Sequence, residues 1–267
     1  MEQPYIGVTG ISSAREALGI TAIFEQALPA AAHCTHRGMV GFLVSDAILK
    51  GRVSAPAKYP PTDALVGLLT ASAGSGLNTI HYHTTERSTL ADQVASLLNQ
   101  DRIYERELCR AVQLNMAWPD VSEVRALRAG FPDLSVILQL GARVLHRYDH
   151  SDIADRLRTY RDLASFVLID PSGGRGRAFA ASFVVPFVSM VQEALPEATL
   201  VLAGGFTGEN VLGRLEELRL SIGTKHFAID AEGGLRGTTE ADPNGPFSIQ
   251  RAKDYVEKAA RFFATAG

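Results

Sequence analysis

Two hydrophobic rhythms alternate along the chain. Short continuous apolar runs recur, and between them lie longer segments with apolar residues every three or four positions. The short runs are Tyr5–Val8, Met39–Val44, Thr79–His83, Ala111–Leu114, Val136–Leu140, Phe166–Ile169, Leu200–Ala203 and Phe227–Ile229. Runs that are apolar throughout, rather than at every second position, read as strands buried on both faces. The longer segments read as helices. Ser12 and Ser13 with Glu16 form a capping-box pattern ahead of AREALGITAIFEQAL. Leu90–Leu98, Val121–Leu127 after a capping Asp120, Ile153–Leu163, Phe183–Leu195, Val211–Leu218 and Ser248–Phe263 carry the helical spacing. Eight strand–helix alternations in 267 residues predict an α/β chain folded as one (βα)₈ TIM-barrel domain. No G-x-G-x-x-G follows the first strand, which argues against an open dinucleotide-binding sheet.

Composition narrows the function classes. The chain is 46% hydrophobic and 21% charged, with a net charge of −3. It has no basic block with interleaved aromatics, so no nucleic-acid partner is expected. No apolar run approaches the roughly 20 residues of a membrane helix, and MEQPYIGVTG lacks a signal-peptide pattern. Cys34 and Cys109 are too few for a disulfide framework, so a cytoplasmic location is expected.

A parallel barrel carries its chemistry at the C-terminal ends of its strands. That rule selects Thr9, Ser45, Asp46, His81, His83, Gln113, Asn115, Gln139, Asp170, Gly204-Gly205 and the stretch Asp230 to Gly234. Phe166–Ile169 ends abruptly on Asp170, and Gly173, Gly174 and Gly176 follow. Leu200–Ala203 ends on Gly204-Gly205. Glycine-rich strand ends leave backbone N–H groups free to hold a phosphate, and such barrels often place one between the seventh and eighth loops.

In this order the motifs resemble those of the phosphoribosylanthranilate isomerase family. VTGISSAREA is similar to the family's first strand and turn, VQLN to its fourth-strand motif, and LIDPSGGRGRAF to the sixth-strand Asp with its glycine loop. LAGGFTGENV is similar to the seventh-strand phosphate loop and AIDAEGGLRG to the eighth. The extra length lies around Pro29–Arg37, Gly51–Thr62 and Gln100–Leu108. The resemblance implies an Amadori-type aldose-to-ketose isomerisation of a small phosphorylated, sugar-like metabolite. It implies Asp170 as general acid, and Gly174, Gly176, Gly204, Gly205, Gly233 and Gly234 as a phosphate cradle. Arg52 is the nearest match to the family's carboxylate-binding arginine. The family's catalytic Cys after the first strand is replaced by Thr9, whose hydroxyl is too weak an acid to take over a thiolate's task unaided.

His81 and His83 alternate onto one face of the third strand and have no counterpart in the family. They are candidates for the missing base, because histidine titrates near neutrality. They would equally serve as two ligands of a metal-dependent hydrolase. The neighbouring strand ends offer mainly the amides Gln113 and Asn115, so a metal-free and cofactor-free protein is expected. Surface positions are expected for His33, His36, His146, His150 and His226. The competing readings are a binding barrel that has lost its base, and the hydrolase.

Overall fold

In the computed structural model residues 1–172, 180–223, 226–237 and 245–265 are described. Eight parallel strands close into a barrel in the order β1 to β8, each hydrogen-bonded to the next and β8 to β1. The strands are β1 Tyr5–Thr9, β2 Arg37–Ser45, β3 Gly76–His83, β4 Ala111–Leu114, β5 Ser135–Gly141, β6 Phe166–Asp170, β7 Thr199–Ala203 and β8 Ala228–Ala231. Among the described residues ten α-helices pack around them or cap their ends: α1 Ala14–Ala30, α2 Asp46–Leu49, α3 Leu65–Ala71, α4 Leu90–Asn99, α5 Val121–Gly130, α6 Ala142–Arg147, α7 His150–Arg158, α8 Ala181–Ala194, α9 Val211–Ile222 and α10 Ile249–Ala264. Every expected apolar run is a strand, with ends moved by up to three residues. The short helices α2, α3 and α6 carry too few turns for a periodic signal, and sequence reading missed them.

The alternation within each strand separates two cores. One side of each strand meets the helix ring, where α4 presents Leu90, Val94, Leu97 and Leu98 and α10 presents Tyr255, Val256, Ala259 and Phe263. The other side fills the barrel interior with Tyr5, Met39, Leu77, Ile137, Phe166 and Val201 among others. This plug occupies the N-terminal half of the barrel. Two to four positions further along five of the strands the inward residues are polar: Thr9 on β1, His81 on β3, Gln113 on β4, Asp170 on β6 and Asp230 on β8. The apolar plug therefore forms the floor on which a polar mouth stands.

At the opposite end His36 is buried, not at the surface as expected from sequence. Its ring stacks on Phe263 with centroids 3.7 Å apart, and Nε2 lies 2.9 Å from the Phe227 carbonyl. Burial is the main cause that lowers its pKa to about 4, so the ring is neutral near pH 7 and packs as an aromatic.

The capping box of α1 forms as read. Ser13 Oγ accepts from the Glu16 N–H at 3.3 Å, and Glu16 Oε2 accepts from the N–H groups of Ser12 and Ser13 at 2.8 and 3.1 Å. Asp120 does occupy the N-cap of α5, but its side chain makes no cap bond there. Ser13→Ala should therefore lower the unfolding free energy by about 1 kcal/mol, while Asp120→Ala should change it by less than half as much. Denaturant titration of both variants checks the contrast.

Candidate functional site

Three strands deliver the polar residues at the centre of the mouth. Thr9 ends β1, Asp230 lies within β8 beside it, and His81 reaches in from β3. Thr9 Oγ1 donates to Asp230 at 2.9 Å from Oδ1 and 3.1 Å from Oδ2, and it lies 3.4 Å from His81 Nε2. The chain is satisfied when Nε2 carries the ring proton: His81 donates to Thr9, and Thr9 donates to Asp230. Two glycines open the space. A Cβ on Gly41 would stand 2.3 Å from Thr9 Oγ1 and 2.7 Å from His81 Nε2. One on Gly7 would stand 2.8 Å from Asp230 Oδ1. Glycine inside a strand often marks such a close approach.

Burial sets the protonation states. Asp230 is raised to about 7, first by burial and then by the negative charges of Glu232 and Asp170, against the opposing bond from Thr9. Burial lowers His81 to about 3, so its ring is neutral near pH 7 and too weakly basic to take a substrate proton there. The group that titrates near neutrality is the aspartate. Sequence reading placed Asp230 just past the strand, among secondary candidates. The signal available was the pair of glycines inside β1 and β2.

A cavity of about 240 Å³ opens above these residues. Asp170 and Ser172 line it on the β6 side; Gly204, Gly205 and Gly233 line it at β7 and β8; Lys58 and Glu232 close its rim. Asp170 Oδ1 accepts from the N–H and hydroxyl of Ser172 at 3.0 and 2.8 Å, and Oδ2 lies 3.5 Å from Gln139 Nε2. Gln113 Nε2 donates to Asn115 Oδ1 at 2.7 Å, while its buried Oε1 has no protein partner among the described residues.

The glycine turns are held from behind. Gly204 and Gly205 have φ of 114° and 69°, a region that favours glycine. The Arg214 guanidinium donates to the Gly204 carbonyl at 2.6 Å, and Asn210 Nδ2 donates to the Gly205 carbonyl at 2.8 Å. A Cβ on Gly234 would stand 2.1 Å from the Phe206 carbonyl oxygen, so the β7 and β8 loops touch backbone to backbone. Among the described cavity residues Lys58 is the one cation, and its ammonium is 2.7 Å from Glu232. Any anion placed on these turns would rely mainly on backbone N–H groups.

The remaining candidates lie elsewhere. Gly174 and Gly176 fall outside the described residues. Arg52 is exposed on the rim and its Nη1 pairs with Glu86 Oε1 at 2.5 Å. Asp46 pairs with Lys50 at 2.8 Å. His83 does not share the central cavity with His81; it is exposed and lines a neighbouring one. Among the described residues no group of three or more His, Cys, Asp or Glu side chains is placed to hold a metal ion. Nor is any described helix long and apolar enough to cross a membrane.

No family model and no curated protein matches the chain. Solved structures do match its fold. A tryptophan synthase structure from Mycobacterium tuberculosis has a TM-score of 0.61 at 12% identity, covering 99% of this chain and 94% of that one. The active domain 2 of a chitinase from Pyrococcus furiosus has a TM-score of 0.59 at 9% identity, covering 98% and 97%. A mutant tryptophan synthase alpha-subunit from the same hyperthermophile has a TM-score of 0.57 at 9% identity, covering 96% and 97%. At such identities the likeness carries the (βα)₈ fold and nothing about the reaction.

The Asp230 shift has a stability consequence. The carboxyl holds its proton more tightly in the folded chain than in the unfolded one, where aspartate titrates near about 4. The stabilisation is full below about pH 4 and is lost as pH rises through about 7. Asp230→Asn, which keeps the shape without the charge, should gain on wild type by on the order of 3 kcal/mol between pH 4 and pH 8. Equal pH dependence of the two unfolding free energies would show that Asp230 titrates normally.

Proposed function

We propose that the barrel mouth binds a small phosphorylated, sugar-like metabolite and catalyses an aldose-to-ketose isomerisation of the Amadori type. The observation that carries this reading is the pairing of two carboxyl groups, Asp170 and Asp230, in one cavity that also exposes the glycine turns of β7 and β8. The sequence resemblance supplies the reaction class; the cavity supplies a proton acceptor at the place where the sequence has Thr9.

Such an isomerisation needs a proton delivered to the ring oxygen as the furanose opens, and a proton removed from the carbon next to the resulting imine. In this reading Asp170 delivers the first. Asp230 accepts the second, since a base with a pKa near the working pH combines availability with strength. Thr9 steers Asp230 by donating to both of its oxygens and does not itself move a substrate proton. The neutral His81 fixes the Thr9 hydroxyl direction. The amide of Gln139 beside Asp170 offers a contact for a sugar hydroxyl. The glycine turns take the phosphate on backbone N–H groups.

Assayed with phosphoribosylanthranilate, kcat/KM should rise with pH along an acid limb centred near 7, the value held by Asp230. Asp170→Asn and Asp230→Asn should each lower kcat by about 10²–10⁴-fold. Ribose 5-phosphate should raise the melting temperature of wild type and of both variants, by linkage. Stabilisation without turnover would leave a binding barrel. A melting temperature indifferent to tens of millimolar ribose 5-phosphate would remove the phosphate reading altogether.

A further inference from the structure

We propose that the Lys58–Glu232 ion pair is a gate over the central cavity, carried by a hinged strap of the β2 loop, and that the mouth admits a ligand only when the pair parts. The inference concerns access and holds for whichever ligand enters. It therefore stands or falls apart from the isomerase reading.

The strap runs from Gly51 to Tyr59, in the extra length that follows β2. Its last two residues, Lys58 and Tyr59, line the central cavity. The Lys58 ammonium lies 2.7 Å from the carboxylate of Glu232, which follows β8 and lines the same cavity. The barrel closes in the order β8, β1, β2. A bond from the β2 loop to the β8 loop therefore runs across the end of β1. That places it on the side of the mouth that holds the Thr9–Asp230 hydrogen bond.

The strap is fixed at its ends and loose between them. Tyr59 shares with Pro60, Pro61, Leu49 and Leu65 a small apolar pocket with only about 10 Å³ of free space. At the other end the Arg52 N–H donates to the Ala47 carbonyl at 2.8 Å, and its guanidinium pairs with Glu86. From Val53 to Ala57 every residue is exposed, and among the described residues these five bond to nothing beyond the strap. Gly51 has a φ of 64°, and a Cβ there would meet nothing within 4 Å, so this position has room to turn as a hinge. Across the mouth the strap is held, among the described residues, by the one ion pair. Its side chains are 22% and 17% exposed, so water and salt reach it and the bond is weak. Segments with so few contacts open locally long before the fold does.

Size points the same way. The cavity beside the closed pair holds about 240 Å³, and ligand sites usually span about 300–1,000 Å³. Parting the pair widens the site as well as opening it.

Labelling of a thiol placed in the cavity reads access directly and needs no ligand. Ala203→Cys puts one on the cavity wall, and Cys34→Ser removes the half-exposed native thiol. The fully buried Cys109 remains as an internal measure of global unfolding. The reagent is methyl methanethiosulfonate, which is uncharged, and mass spectrometry follows each site. Lys58→Met and Glu232→Gln should each speed labelling of the introduced thiol by about three- to fivefold, with Cys109 unmodified. Lys58→Arg should keep the slow rate. Raising salt from about 50 mM to about 0.5 M should speed labelling in the gated chain and leave the Lys58→Met chain unchanged. Charge acting on the thiol alone would move the two single variants in opposite directions, because one loses a cation and the other an anion. Opposite shifts, one rate for all chains, or faster labelling matched at Cys109 would each overturn the gate. If Ala203→Cys does not fold, Ser172→Cys on the β6 side of the cavity carries the same measurement.

Discussion

The mouth of this barrel depends on one buried hydrogen bond, from the Thr9 hydroxyl to the Asp230 carboxyl. A carboxyl group at this depth is costly unless it is bonded or protonated. Here both remedies act together. Thr9 gives it a donor, and burial holds its proton up to about pH 7. Room for the pair comes from two absent side chains, at Gly7 and Gly41, on strands that would otherwise carry inward-facing residues. Burial at the same depth keeps the neighbouring His81 neutral.

Around this centre the loops are tied to one another more than to the barrel wall. Arg236 reaches from the β8 loop to the carbonyl of Gly10 after β1. Arg214 holds the β7 turn from α9, and Lys58 of the β2 loop pairs with Glu232 after β8. The chain thus uses most of the cations near β7, β8 and β1 to position backbone. The arginines near β3 to β5 are not engaged in this way. The asymmetry divides the mouth into a side of glycine turns held in place from behind and a side that carries two guanidinium groups.

The architecture was legible because both of its rhythms are strong. Buried parallel strands show as unbroken apolar runs, and the helices between them repeat at their own period. Asp170 and Gly204-Gly205 were legible because they end such runs. Asp230 was read as a pocket candidate just past a β8 run ending at Ile229, whereas the strand continues to Ala231 and carries the aspartate inward. Alternation placed His81 and His83 on one face. In the folded chain His83 lines a different cavity from His81. Arg52 illustrates a further limit: sequence shows a cation in the β2 loop but not the Glu86 that takes it. Partners brought from 34 residues away are a property of the closed fold.

The closing seam between β1 and β8 joins the two ends of the chain, and Thr9 and Asp230 are 221 positions apart. Loop closure over such a span is among the slowest and least local steps available to a folding chain. An open, seven-eighths barrel would already hold Asp170 beside Ser172 and the amides of β4 and β5, yet it would lack the titrating aspartate. The Thr9–Asp230 pair therefore exists only where the β1–β8 seam is closed. The raised pKa of Asp230 is accordingly a property of the closed ring: with this seam open the aspartate would be solvated and of ordinary acidity.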